Sequence, residues 1–143
     1  VKKFAFLILP FLFLPSYSLA KSFGNYQGAV YIRNYDGDTI TFNLPGLHPI
    51  IGEKISIRVN GIDTPEIKGK CEKEKYDAQQ AKDMVADILK DAEQTTLKNM
   101  ERGKYFRIAA DVIVDSENLA DVLVEAGMAV RYDGGKKTHK WCE

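Results

Sequence analysis

An α+β fold, a five-stranded β-barrel of OB type with two to three helices, is what the sequence predicts, and three observations carry it. Strand-like alternation recurs in three runs before residue 63, a helical period occupies residues 72–93, and two more strand-like runs precede a shorter helical stretch. That order suits a small closed barrel, although periodicity alone leaves other α+β folds open. The length of 143 residues suits one domain, large enough to bury a core without a metal or a cross-link. With 28% charged and 45% hydrophobic residues, the chain is neither a multi-span membrane protein nor intrinsically disordered. Lys+Arg and Asp+Glu both number 20, a balance that argues against a polybasic nucleic-acid binder.

Residues 1–20, VKKFAFLILPFLFLPSYSLA, are a different polymer from the rest. Lys2 and Lys3 open the segment, Phe4 to Leu14 are apolar apart from Pro10, and Ser18-Leu19-Ala20 places small residues where a signal peptidase reads. This is the layout of a secretory signal, followed by a domain over 21–143, and it predicts a secreted or periplasmic product that leaves the membrane after cleavage. The alternative, a membrane anchor, needs about 20 apolar residues, whereas this run is interrupted by Pro10 and Pro15. Removing the segment takes Lys2 and Lys3 with it, so the remaining 123 residues would carry 18 Lys+Arg against 20 Asp+Glu.

The elements follow in order. Tyr26–Tyr35 alternates like a strand and Ile40–Leu44 continues the pattern after Asp36-Gly37, a hairpin signal. Asn43–Gly52, with Pro45, Gly46, Pro49 and Gly52, reads as a loop. Lys54–Ile62 alternates Ile55, Ile57 and Val59 with Ser56, Arg58 and Asn60, as a half-buried strand does. Thr64-Pro65 stops it, because the residue before proline avoids the helical region. Over 72–93, Ala78, Ala81, Met84/Val85, Ile88/Leu89 and Ala92 recur every three or four residues, the mark of an amphipathic helix. Strands are predicted near Thr95–Met100 and Lys104–Val114, joined at Arg102-Gly103. Ser116 is the expected N-cap of a helix through Ala126 that Gly127 stops. A short strand Met128–Tyr132 and a polar tail complete the chain.

Cys71 and Cys142 are the only cysteines, and an oxidising compartment would favour joining them. Two unpaired thiols are the alternative. Zinc is disfavoured, since neither Cys has a C-x-x-C neighbour and His139 is the sole imidazole nearby. His139 and His48 read as surface residues of a tail and a loop.

Three segments combine charge and turn residues beyond what packing requires. Asp36-Gly37-Asp38-Thr39 reads either as a plain hairpin turn or as a pair of placed acids. Arg58 followed by Asp63-Thr64-Pro65-Glu66 sets two carboxylates around a rigid proline at a strand end; the plainer reading is an Asp bonded to local backbone and a Glu opening a helix. Arg107, in an otherwise apolar run, is either a snorkelling edge residue or a group pointed into a site.

YDGDTI (35–40), IRVNGIDTPE (57–66), KYFR (104–107) and DSENLADVLVEAG (115–127) together resemble the staphylococcal nuclease (thermonuclease) family, in the same order over residues 27–132. The resemblance implies an OB barrel with helices and a calcium-dependent endonuclease, a monomer, that cleaves DNA and RNA with little sequence preference. By motif position, Asp38 and Asp63 are the implied Ca2+ ligands together with the Thr64 carbonyl, and Asp36 is a nearby acid behind them. Glu66 is the implied general base toward the attacking water, and Arg58 and Arg107 are the phosphate-binding arginines. Lys104 and Tyr105 match contacts to a terminal phosphate, and Tyr132 a further nucleotide-facing tyrosine. The family breaks the 5′ P–O bond and leaves 3′-phosphate ends. The last helix of the type protein has no counterpart here, and DGGKKTHKWCE stands in its place. A Cys71–Cys142 bridge would fasten that tail to the start of the long helix, where Trp141 would pack or stack on a base.

The chemistry agrees with that distribution. Calcium prefers carboxylate, carbonyl and water oxygens, a phosphodiester needs its charge neutralised before a nucleophile approaches, and arginine forks match phosphate oxygens as lysine does not. An OB-type nucleic-acid-binding module without catalysis is the alternative. Such a module would be expected to lack one of Arg58, Arg107, Glu66 or the aspartates, and all are present. A calcium-stabilised interaction domain would leave the two arginines unexplained.

Overall fold

Ile40 and Phe42, alternate residues of strand β3 (Thr39–Asn43), are wholly buried, with half-buried Thr39, Thr41 and Asn43 between them. The same pattern recurs in β4 (Ile55–Val59), β6 (Thr95–Arg102) and β7 (Ile108–Val114), which send Ile57, Val59, Leu97, Ala110 and Val112 into one shared core. The computed structural model describes residues 22–103 and 107–143. The expected signal segment 1–20, and Lys104 and Tyr105, lie outside the described residues.

The strands hydrogen-bond in the order β1-β6-β7-β4-β3-β2, where β1 is Tyr26–Gln27 and β2 is Val30–Asn34. The two ends of that path are separated in sequence by Gly28-Ala29 alone. Gly28 takes φ +79, a left-handed conformation that glycine adopts without strain. It lets one bent strand pair with β6 through its first half and with β3 through its second. The sheet therefore curls round on itself, with β2, β3, β4, β6 and β7 as its five long strands, in the predicted α+β, OB-type arrangement. All pairings along the path are antiparallel except β4 with β7, which are parallel.

Helix α2 (Glu72–Asp91) lays Ala78, Ala81, Val85 and Leu89 against this barrel, the stripe its period predicts. It stops two residues before the expected 93, because Ala92 turns extended. Three other boundaries differ. The loop 43–52 contains a helical turn, α1 (Pro49–Gly52), capped by His48, whose Nδ1 accepts from Ile50 N at 3.2 Å. The predicted strand 54–62 breaks at Gly61, whose φ of +77 redirects the chain, so Ile62–Asp63 forms a separate strand, β5. Its partner is β9 (Val130–Arg131), all that remains of the strand expected over 128–132. Ser116 is not the N-cap of α3 (Leu119–Glu125). Asp115 and Ser116 lie at positive φ in a tight turn, β8 (Glu117–Asn118) then pairs with β7, and Asn118 Oδ1 caps the helix by accepting from Ala120 N at 2.9 Å.

Cys71 and Cys142 form a disulfide, with Cα atoms 6.0 Å apart across 71 residues of sequence. A closed loop of that length stabilises the fold by about 4 kcal/mol on the chain-entropy account. Cys71 is also the N-cap of α2, so the tail is fastened to the start of the long helix. No helix among the described residues is long and apolar enough to cross a membrane.

Gly37, in the bend between β2 and β3, is required by close approach. A Cβ there would lie 2.8 Å from Thr64 Cγ2 and 3.0 Å from Ala81 Cβ. Gly37→Ala is expected to cost about 1–3 kcal/mol through overpacking, read as a lower urea midpoint. An unchanged midpoint would show that this contact is slack.

Candidate active site

The bend after β2 sets the first acid. Asp36, itself buried, accepts the main-chain N–H groups of Asp38 and Thr39 through Oδ1, at 3.1 and 2.8 Å. Its work is to fold the turn that aims Asp38 inward. Asp38 is 1% exposed, hydrogen-bonded by Thr39 Oγ1 at 3.1 Å and by Thr64 N at 3.2 Å, and paired with Arg58 Nη1. Burial pushes the Asp38 carboxyl well above the usual carboxylate range, and Arg58 pulls it partly back.

Arg58 projects from β4, and Thr39 is its register partner on β3. Its second nitrogen, Nη2, donates to the Ile62 carbonyl at 3.2 Å and lies 3.6 Å from Asp63 Oδ1. One guanidinium thus bridges both acids. Asp63, 3% exposed, is brought there by the turn at Gly61 and by the β5–β9 pairing. Thr64 beside it is fully buried, and its Oγ1 has no hydrogen-bond partner among the described residues.

The parallel pairing of β4 with β7 sets the second arginine. Arg58 is in register with Ala109, so Arg107, two residues earlier, falls on the same side of the sheet. Arg58, Arg107, Glu66, Tyr132 and Ala109 line one cleft of about 640 Å³. Arg107 is exposed there, just ahead of β7, so its expected place within that strand is corrected to the strand's mouth. The Tyr132 hydroxyl donates to the Gly135 carbonyl at 2.6 Å, which holds the ring at the cleft edge.

Three more residues complete the site, of which only Trp141 carries a role in the sequence reading. Lys137 Nζ, from the tail, lies 2.7 Å from Asp63 Oδ1 and 2.9 Å from Glu66 Oε1. Burial works to lower its pKa, but the two carboxylates prevail and push it up to about 12. Trp141 Nε1 approaches Asp63 Oδ2 at 3.4 Å, so the tryptophan packs at the site, with His139 edge-on to it at 4.3 Å between centroids. Glu74, buried in the first turn of α2, accepts from Lys70 N at 2.8 Å and Glu66 N at 3.4 Å, and so ties down the loop that carries Glu66. The sequence signals were faint: a basic tail with Cys142 in it, and an acid one turn into a helix.

This constellation can be set against known proteins. The family model for staphylococcal nuclease homologues matches residues 56–141. The chain belongs to the staphylococcal nuclease family. The matched span begins within β4 and holds Arg58, Asp63, Thr64, Glu66, Arg107 and Tyr132. It also runs through the tail to Trp141, beyond the 27–132 over which the motifs align. The bend that carries Asp36 and Asp38 precedes it. No curated protein sequence matches the chain significantly. Membership makes the chain nuclease-like, with nucleic acid as the class of substrate its family acts on.

Staphylococcal nuclease-family enzymes typically depend on a metal, and the donors here fit a hard cation. Asp38 and Asp63 are both buried carboxylates that converge on one arginine. With Glu66, three acids face two cations, Arg58 and Lys137, leaving negative charge for a divalent ion to neutralise. These carboxylate oxygens suit a hard cation better than a softer metal.

Proposed function

We propose that the chain is a secreted or periplasmic, calcium-dependent endonuclease that hydrolyses DNA and RNA with little sequence specificity, working as a monomer. The observation that carries this reading is the bridging of two buried acids by Arg58 in a cleft shared with Glu66 and Arg107. A binding module needs basic and stacking groups, but not two desolvated carboxylates held beside them.

Asp38, Asp63 and the Thr64 carbonyl would hold Ca2+, which when bound supplies a positive centre that polarises a phosphate oxygen. Arg107 offers an exposed fork of N–H donors to the phosphodiester at the cleft mouth. Arg58 adds a second fork from deeper in, oriented by Asp38 and the Ile62 carbonyl. Charge that grows on the phosphoryl oxygens as phosphorus becomes five-coordinate falls against these two guanidiniums. Glu66, on a loop secured by Glu74, takes a proton from the attacking water. As the new P–O bond forms the 5′ P–O bond breaks with its electron pair on the 5′-oxygen; the 3′-phosphate stays on the upstream fragment, and the downstream fragment leaves as a 5′-hydroxyl after taking a proton from solvent water. Lys104 and Tyr105 would meet a terminal phosphate and Tyr132 a sugar or base.

The deciding experiment is digestion of plasmid DNA and single-stranded RNA by residues 21–143, with calcium or with excess chelator. Cleavage of both with calcium and of neither with chelator is expected. A folded protein that cuts nothing with calcium would overturn the reading. The same preparation made by export should begin at Lys21, read by N-terminal sequencing, if residues 1–20 are a signal.

A further inference from the structure

Asp63 differs from Asp38 in that two of its three side-chain partners among the described residues, Lys137 and Trp141, come from the tail and the third is Arg58. Its Oδ1 faces the Lys137 ammonium at 2.7 Å, and its Oδ2 faces the Trp141 indole N–H at 3.4 Å. Asp38, by contrast, is held by Thr39, Arg58 and Thr64, outside the tail.

The segment that carries Lys137 is fixed at both ends. Before it, Tyr132 N donates to the Gly61 carbonyl at 3.0 Å, and Asp133 Oδ1 closes a turn onto Gly135 N at 2.9 Å. After it, Lys73 Nζ donates to the Trp141 carbonyl at 3.3 Å, and Cys142 is bonded to Cys71. The ammonium can therefore swing on its four-carbon stem, but it cannot leave the cleft.

We propose that Lys137 is a tethered counter-ion that a divalent cation must displace from Asp63, and that the displaced ammonium stays in the cleft as a third phosphate-binding cation beside Arg58 and Arg107. The proposal rests on the calcium reading above. Its physical basis is charge. Three carboxylates against two cations leave one net negative charge, so a dication arriving with Lys137 still seated turns the site net positive. Like-charge repulsion at a few ångströms in a half-buried site is strong. The lysine is the mobile partner, because it is exposed and unbranched, whereas Arg58 is held by three oxygens. Lys137 lines the same cleft as Arg107, so the released charge faces an incoming phosphate.

The test is calorimetric titration of calcium into chelator-treated residues 21–143, disulfide intact, as wild type and as Lys137→Met. Removing the competitor should tighten calcium binding about tenfold, which corresponds to ~1.4 kcal/mol. Equal or weaker binding by the variant would overturn the proposal, since Lys137 would then be organising the carboxylates and not competing for them. Equal binding would leave the calcium reading standing; silence from both proteins would remove the two together. A measurement on the wild type guards against a variant that does not fold. Acetylation read by mass spectrometry should modify Lys137 several-fold faster with calcium than without, relative to exposed Lys98. An unchanged ratio would show that the ammonium never leaves its carboxylates.

Discussion

Glu66→Gln is expected to slow single-turnover cleavage of an oligonucleotide by about 10²–10⁴-fold, the usual contribution of a positioned acid–base group, while oligonucleotide affinity changes no more than a few-fold. Glutamine keeps the shape but cannot accept the proton of the attacking water. The loop should stay in place, because Glu74 holds it through the main-chain N–H of residue 66, which the substitution retains. Lys137 also keeps its contact with Asp63. Single-turnover rates and fluorescence anisotropy separate the two effects. A loss smaller than tenfold would remove the proton-transfer role, and a parallel loss of affinity would mean that the site had rearranged.

Arg58→Met should be costly in two respects. The variant loses a phosphate fork, and it strands Asp38, whose carboxylate is then buried without its cation. Breaking one side of such a pair costs about 3–5 kcal/mol when it is fully desolvated. Arg58 is partly exposed, with 20% of its side chain open, and Asp38 can take up a proton, so a loss nearer ~2–3 kcal/mol is expected. Arg107→Met gives the contrast. That side chain is exposed at the cleft mouth, so cleavage should fall while the urea midpoint stays put. Equal destabilisation by the two substitutions would refute the bridging role assigned to Arg58.

The barrel was readable because its signals are local. Ile55, Ile57 and Val59 alternate and Ala78, Ala81 and Val85 recur at the helical period, as burial on one face demands. The helix cap was misplaced because Ser116 has the right side chain but the wrong backbone: two successive positive φ values at Asp115 and Ser116 belong to a turn that composition does not announce. The site divides in the same way. Asp38, Arg58, Asp63 and Glu66 lie in two short motifs, and their convergence follows from strand register. Lys137 is 71 residues from Glu66 and reaches it by the path of a tail without regular structure. Two cysteines hinted at where that tail ends, but not at which of its several lysines would meet the acids.

The bent first strand has a consequence for the molecule among other molecules. A flat sheet has two borders of unpaired peptide groups on which a second chain can add a strand. Here β6 is covered by Tyr26 and Gln27, and further along by Gly24 and Phe23, which exchange hydrogen bonds with Met100. The opposite strand, β2, is overlain by α2. Among the described residues the border that β2 leaves is five residues long. A chain built this way resists edge-to-edge aggregation by its topology, without needing the high net charge that it lacks.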